Sequence, residues 1–242
     1  MSDLFQSLLR MGDNTLILGH RVSEWCGIAP VLEEDIALAN TALDMIGQTQ
    51  LWLGLAAEVE GKGRDADALA FRRDVWDFHN LLMVEQPNRD FGHTMMRQFL
   101  FDAWHWQMLE TLKSSEHDQI AAIAEKSLKE VTYHLERSSD TVIALGDGTE
   151  ESHARMQAAL DRLWPYVGEM FLTDAHDLID VSALRPAFDA RVNDVLSIAT
   201  LTHPQTDFTH KGGKTGARHT EHLGHMLAAM QFLPRAYPDA KW

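Results

Sequence analysis

The chain has 242 residues, 45% of them hydrophobic and 24% charged, an ordinary globular composition with length for one well-buried domain or two small ones. Its 36 acidic against 21 basic residues leave a formal net charge of −15, a field that repels phosphodiester backbones, and no basic stripe overrides it, so nucleic acid is not an expected partner. A single cysteine, Cys26, cannot make an internal disulfide, no signal-like start or apolar run of about 20 residues is found, and the expectation is a cytoplasmic chain without a membrane segment.

Prolines at 30, 87, 165, 186, 204, 234 and 238 leave two long proline-free stretches, 31–86 and 88–164, where helices can run unbroken. Residues 3–26 carry Leu4, Leu8, Met11, Leu16, Leu18 and Trp25, a first helix that the segment 27–30 turns back. From Leu32 the spacing Leu32, Ile36, Ala39, Leu43, Ile46, Gln50, Leu53, Ala57 draws one stripe along a long second helix ending near Gly61. The connector 62–90 is rich in Phe71, Val75, Trp76, Phe78 and the run 81–84, which serves either a subunit interface or a thicker internal core. After Pro87, the polar residues 88–90 start a helix whose Phe91, Met95, Phe99, Asp102, Trp106 and Leu109 share a face. Trp104, two residues from Trp106, must point elsewhere, toward another part of this chain or toward a partner, and it is the interface candidate.

The next helix, about 118–145, presents Ile120, Ala124, Ser127, Val131, His134, Ser138, Val142 and Leu145 inward, and Gly146-Asp147-Gly148 stops it. Thr149 is the expected N-cap of a helix ending near Pro165, with Glu150 and Glu151 in the first turn where the helix dipole favours acids. A Gly-rich loop, 204–217, precedes a final helix over 218–233, and no strand pattern of useful length is present. Two helical hairpins joined by a long connector fit an all-α, ferritin-like four-helix bundle with additional helices. We read one domain over 1–242, its bundle core at about 3–165 and a helical extension at about 166–242.

A di-iron centre in such a bundle takes a glutamate from each of two helices and a Glu-x-x-His pair from each of the other two, because i and i+3 side chains point the same way. At the matching level the second helix reads Leu43-Asp44-Met45-Ile46-Gly47-Gln48, and glutamine and methionine are poor ligands for a hard oxygen-bound iron. On the fourth bundle helix His134 is present with Val131 three residues before it, while Glu130 turns partly away. Asp102 and His105 lie at the right depth, and the level 15–18 on the first helix offers no carboxylate. Asp102 and His134 are expected to satisfy each other in a core without metal. The competing reading is a divergent metal-binding oxidase that uses Asp102, His105 and His134. Glu150 and His153 form the literal Glu-x-x-His, but in a first turn where acids are expected for the dipole alone. His219, His222 and His225 diverge by more than half a turn between first and last. The loop 211–216 only loosely resembles a phosphate cradle, since no strand precedes it, and a coenzyme A contact there is the third reading.

The phrases LGHRVSEWCGIAPVLEEDIALANTALDMIGQ, NLLMVEQPN, RQFLFDAWHW, KEVTYHLERSSD, LGDGTEESHARMQ and HTEHLG resemble the PaaC subunit family, from about residue 13 to the C-terminus. The resemblance implies a ferritin-like, non-catalytic structural subunit of the multicomponent ring-1,2-phenylacetyl-CoA epoxidase of aerobic phenylacetate degradation. It further implies a homologous PaaA catalytic partner that carries the di-iron cofactor, a bridging PaaB subunit, and a reductase drawing electrons from NADPH. By resemblance Met45 and Gln48 stand at one Glu-x-x-His pair of the catalytic relative, and Val131 and His134 at the other, so three of four ligands are replaced. No catalytic, cofactor-binding or metal-binding residue is then expected in this chain, and self-association is left open.

Overall fold

The computed structural model describes residues 3–238 and 240. Among them every regular element is helical: α1 (Asp3–Ser23), α2 (Leu32–Glu60), α3 (Ala66–Phe71), α4 (Phe91–Leu112), α5 (Asp118–Gly146), α6 (Glu150–Leu163), α7 (Arg185–Ile198), α8 (Glu221–Met230) and α9 (Phe232–Ala236), with short 3₁₀ turns at Val75–Asp77, Trp164–Phe171 and Val181–Leu184. The expected final helix over 218–233 is thus two short helices hinged at Gln231. The long helices begin and end where local chemistry satisfies their free backbone groups. Asp90 accepts the N–H of His93 at 2.7 Å to cap α4, and Thr149 accepts that of Ser152 at 3.1 Å to cap α6. Gly61, at φ 66°, takes the left-handed conformation that ends α2, its N–H returning to Ala57 O at 3.1 Å.

Cross-helix neighbours fix the directions. Gly12 lies against Leu53, Thr15 bonds Thr49 and Gly19 lies against Met45, so α1 and α2 are antiparallel. Glu34 meets Arg137, Gln48 meets Glu130 and Glu58 meets Gln119, so α2 and α5 are antiparallel as well. Asp102 to Ser138 and Trp106 to Thr132 make α4 antiparallel to α5. It follows that α4 runs parallel to α2, and the chain must return the length of the bundle between them. That return is the connector, the long crossover of a ferritin-like bundle.

The crossover is buried rather than draped. Phe78, Leu81, Leu82, Met83 and Val84 have almost no exposure, which assigns most of its apolar content to an internal core; only Trp76 stands out in solvent. Its backbone is held by buried polar groups. The carboxylate of Asp13 on α1 pairs with Arg73 and accepts the N–H of His79 at 2.9 Å, and Asn14 accepts that of Leu81 at 2.8 Å. Buried Arg97 on α4 donates to Gln86 O and, at 2.7 Å, to Asn88.

Two expectations about helix faces fail here. On α2 the stripe through Leu32, Ile36, Leu43 and Ile46 points away from the bundle, with exposures of 71, 53, 65 and 45%, while Leu38, Met45, Gln48, Trp52 and Ala56 face inward. Trp104 is not a free anchor for a partner. It is 4% exposed, its indole N–H donates to Met170 O at 3.2 Å, and the turn Trp164–Phe171 covers it. The C-terminal segments make α4 a helix buried on nearly every side, which is why a second large apolar residue off its first stripe needs no partner chain.

Candidate functional site at the bundle centre

The four long helices bring Thr15 from α1, Met45 and Gln48 from α2, Asp102 and His105 from α4, and Val131 and His134 from α5 into the interior, each with at most 2% exposure. Where a carboxylate would be needed on α1, Thr15 instead shares a hydrogen bond with Thr49 at 2.8 Å. Met45 is apolar filling, close enough to α1 that a Cβ at Gly19 would sit 3.1 Å from its own Cβ. Gln48 donates to Glu130 Oε2 at 2.9 Å, so the glutamate that turns partly away from the α5 stripe is the partner of the glutamine.

Asp102 and His134 do not satisfy each other, contrary to expectation. The Asp102 carboxyl accepts from Gln98 Nε2 at 2.7 Å, one turn earlier on α4, and from Ser138 Oγ at 2.9 Å across on α5. His134 Nε2 lies 2.9 Å from Oδ2 of Asp44, a half-exposed residue at the bundle edge whose place beside Met45 in the sequence gave no sign of this role. Burial pushes the Asp102 carboxyl up to about 7, against the smaller pulls of His134 and of the hydrogen bonds from Ser138 and Gln98. Burial also pushes His105 down to about 3, with His134 adding to the effect. Its ring nitrogens have no partner among the described residues, and the neutral ring packs 5.1 Å from Phe101 and stacks beside Trp104.

These residues do not fit a di-iron cofactor. Four carboxylates and two histidines are required, and the level supplies a thioether, an amide, an aliphatic side chain, a threonine, one carboxyl held near neutrality and two imidazoles turned to other tasks. Asp102, His105 and His134 share the interior without converging. Among the described residues no three His, Cys, Asp or Glu side chains are placed to hold a metal ion.

The Gly-rich loop is likewise occupied from within. Glu169, fully buried, accepts through Oε1 the N–H groups of Gly212 and Gly213 at 2.8 Å and of Lys214 at 3.3 Å, and through Oε2 that of Leu82 at 2.8 Å. Burial raises the carboxyl of Glu169, and the four backbone donors oppose the rise. Lys214 turns to Asp177, at 2.8 Å, and to Leu172 O. The backbone nest that a phosphate would use already holds a carboxylate of the same chain, so the loop is no coenzyme A cradle in this state. No sequence signal links Glu169 to a loop more than forty residues on. His219 belongs to a related buried pair, 2.6 Å from Glu85 Oε1, and His225 is exposed on α8, so the C-terminal histidines are no ligand set. His153 bonds back to Gly146 O at 2.7 Å and serves the turn before α6.

Four long helices with a long buried crossover between the second and third of them define a ferritin-like bundle. The family model PaaA_PaaC, described as "Phenylacetic acid catabolic protein", matches residues 1–242, and the chain belongs to that family. It is 46% identical over 250 residues, covering all of both chains, to the C-type component of the 1,2-phenylacetyl-CoA epoxidase of Escherichia coli (strain K12). Involvement in phenylacetate catabolism as a subunit of such an epoxidase follows. No helix among the described residues is long and apolar enough to cross a membrane.

Proposed function

We propose that this chain is the non-catalytic, structural subunit of a cytoplasmic phenylacetyl-CoA epoxidase. It supports a homologous PaaA-type subunit that carries the di-iron centre, in an assembly bridged by a PaaB-type subunit and supplied with electrons by a reductase. The observation that carries this reading is the donor set at the ligand level: Met45, Gln48 and Val131 cannot bind iron as carboxylates and histidine would, and Asp102 and His134 are engaged by Gln98, Ser138 and Asp44. What the interior does instead is hold shape, with its polar groups neutral or paired and its helices strapped by the crossover.

The test uses the complete, reconstituted assembly. The pair of substitutions Asp102→Asn and His134→Gln in this chain leaves iron per assembly and phenylacetyl-CoA turnover within a factor of about two of the parent. A loss of tenfold or more in either, with the assembly intact by mass, contradicts the reading and returns this centre to the chemistry.

A further inference from the structure

In a chain with a formal net charge of −15, exposed arginines that have no acid to pair with stand out. Arg89 just before α4, Arg162 in the last turn of α6 and Arg218 after the Gly-rich loop are of this kind: among the described residues none makes an ion pair or a side-chain hydrogen bond. Arg89 and Arg162 line one groove of about 400 Å³ between the start of α4 and the flank of α6. The two acids of that groove are already engaged, Glu151 by Arg155, and Asp90 by the N–H of His93 at the cap of α4. Arg218 acts close by, on Tyr166, where with Arg89 and Arg162 it opposes the rise that burial and Glu85 impose on the phenol. Two features of the groove have no use inside the fold. His93, which lines it, is 3% exposed, yet neither ring nitrogen has a partner among the described residues. Burial, then the charges of Arg97, Arg89 and Arg162, push its pKa down to about 3, so the ring is neutral and offers one N–H donor without burying a charge. Arg89 itself holds φ at 54°, the left-handed region, which costs a residue with a side chain about 1 kcal/mol. Its neighbours keep it there, since Asn88 Nδ2 donates to Arg21 O at 2.8 Å and Asp90 caps the helix.

We propose that this groove binds the phosphate group of a small anionic ligand, free phosphate or pyrophosphate or a phosphate ester, between the guanidinium groups of Arg89 and Arg162 and over the ring N–H of His93. The inference goes beyond the functional reading above and does not depend on it. The donor set selects the ligand. Guanidinium forks meet phosphate oxygens in pairs, which an ammonium does not, and two forks with a neutral N–H supply more donors than the two oxygens of a carboxylate use, while a phosphoryl group presents three. The start of α4, a helix of 22 residues, adds the partial positive charge of its dipole on the same side. The isolation of the cluster on an acidic chain suits a compact anion and gives an extended polyanion no further contacts. The comparison with the Gly-rich loop runs the same way: Glu169 occupies the backbone donors there, whereas among the described residues no carboxylate meets Arg89 or Arg162.

The experiment titrates the full chain by calorimetry, at fixed ionic strength, with inorganic phosphate, pyrophosphate, coenzyme A, dephospho-coenzyme A and citrate. The expected result is saturable binding of a phosphate probe with a Kd of about 1 mM or below. Arg89→Gly and Arg162→Ala each weaken it at least tenfold, whereas Lys126→Ala, exposed on α5, leaves it unchanged. Arg89→Gly relaxes the backbone as it removes the guanidinium, so it melts no lower than the parent, which separates lost binding from lost folding. In nitrogen NMR spectra the imidazole resonances of His93 move on saturation. Pyrophosphate and coenzyme A bound alike assign the site to the phosphate group whatever carries it. Coenzyme A bound at least tenfold more tightly than both pyrophosphate and dephospho-coenzyme A, which lacks the monoester, assigns it to the phosphate monoester of a larger ligand. Absence of saturable binding by every phosphate probe, binding that both arginine substitutions leave unchanged, or citrate bound as tightly as pyrophosphate overturns the site and leaves the functional reading standing.

Discussion

The bundle centre and the crossover seam are both buried and polar, and they treat their charges in opposite ways. Along the seam the carboxylates are surrounded by donors: Asp13 by Arg73 and the His79 N–H, Glu85 by Asn80, His219 and Thr220, Glu169 by four backbone N–H groups. At the bundle centre Asp102 has two neutral donors, and His105, the second nitrogen of His134, the hydroxyl of Ser127 and the amide oxygens of Gln48 and Gln98 find no partner among the described residues. The seam surrounds its buried carboxylates with donors, whereas the centre leaves several of its buried polar atoms without one.

The contrast is tested most severely at Glu169. Glu169→Ala strips the acceptor from four buried backbone donors, a loss of about 3–5 kcal/mol. In a chain of this size that lowers the melting temperature by roughly 10 °C, with early proteolysis near Lys211 as the loop is released. A shift of under about 2 °C would mean that the nest is solvated in solution. Asp13→Asn leaves Arg73 buried without a counter-charge, and denaturant titration reads a loss of about 3 kcal/mol.

The centre answers more weakly and with a dependence on pH. The Asp102 carboxyl titrates at about 7 in the fold against 3.8 ordinarily, so the folded chain holds a proton that the unfolded chain has lost. Its contribution is full below about pH 4 and disappears as the pH rises through about 7. Asp102→Asn removes that dependence. It is expected to match the parent near pH 4 and to exceed it by about 1–2 kcal/mol at pH 8. His105 runs the other way: depressed to about 3 from 6.5, it favours the fold above pH 6.5 and costs stability as the pH falls. His105→Phe, which keeps an aromatic ring between Phe101 and Trp104, stabilises by about 1 kcal/mol at pH 5 and by less at pH 8. Melting curves across pH 4–8 check both, and variants that tilt the curve in the same direction would contradict the assignment of neutral forms to both groups.

How much of this was legible depended on contrast within each helix. On α5 the charged outer face sets off the inner one, and Ile120, Ala124, Ser127, Val131, His134, Ser138 and Val142 are all buried as the period of 3.6 predicts; Leu145 is half-buried at the rim. On α2 there is no such contrast, and a correct helical spacing through Leu32, Ile36 and Leu43 picked out the face that leaves the bundle. Trp104 misled for the converse reason: α4 is wrapped by the C-terminal turns, whose placement no local pattern encodes. The absence of carboxylate or imidazole at Met45, Gln48 and Val131 could be read by counting along the chain. The partners that replace them, Asp44 for His134 and Gln98 with Ser138 for Asp102, depend on rotamers and long-range pairing that spacing does not carry.

The most direct test of a degenerate centre is the iron content of the isolated chain, purified from iron-supplemented cells and measured by elemental mass spectrometry beside an A-type subunit treated identically. The donor set predicts iron far below one per chain, unchanged by Asp102→Asn or His134→Gln. Stoichiometric iron that either substitution removes would contradict it, and would show that these side chains rearrange into a metal site.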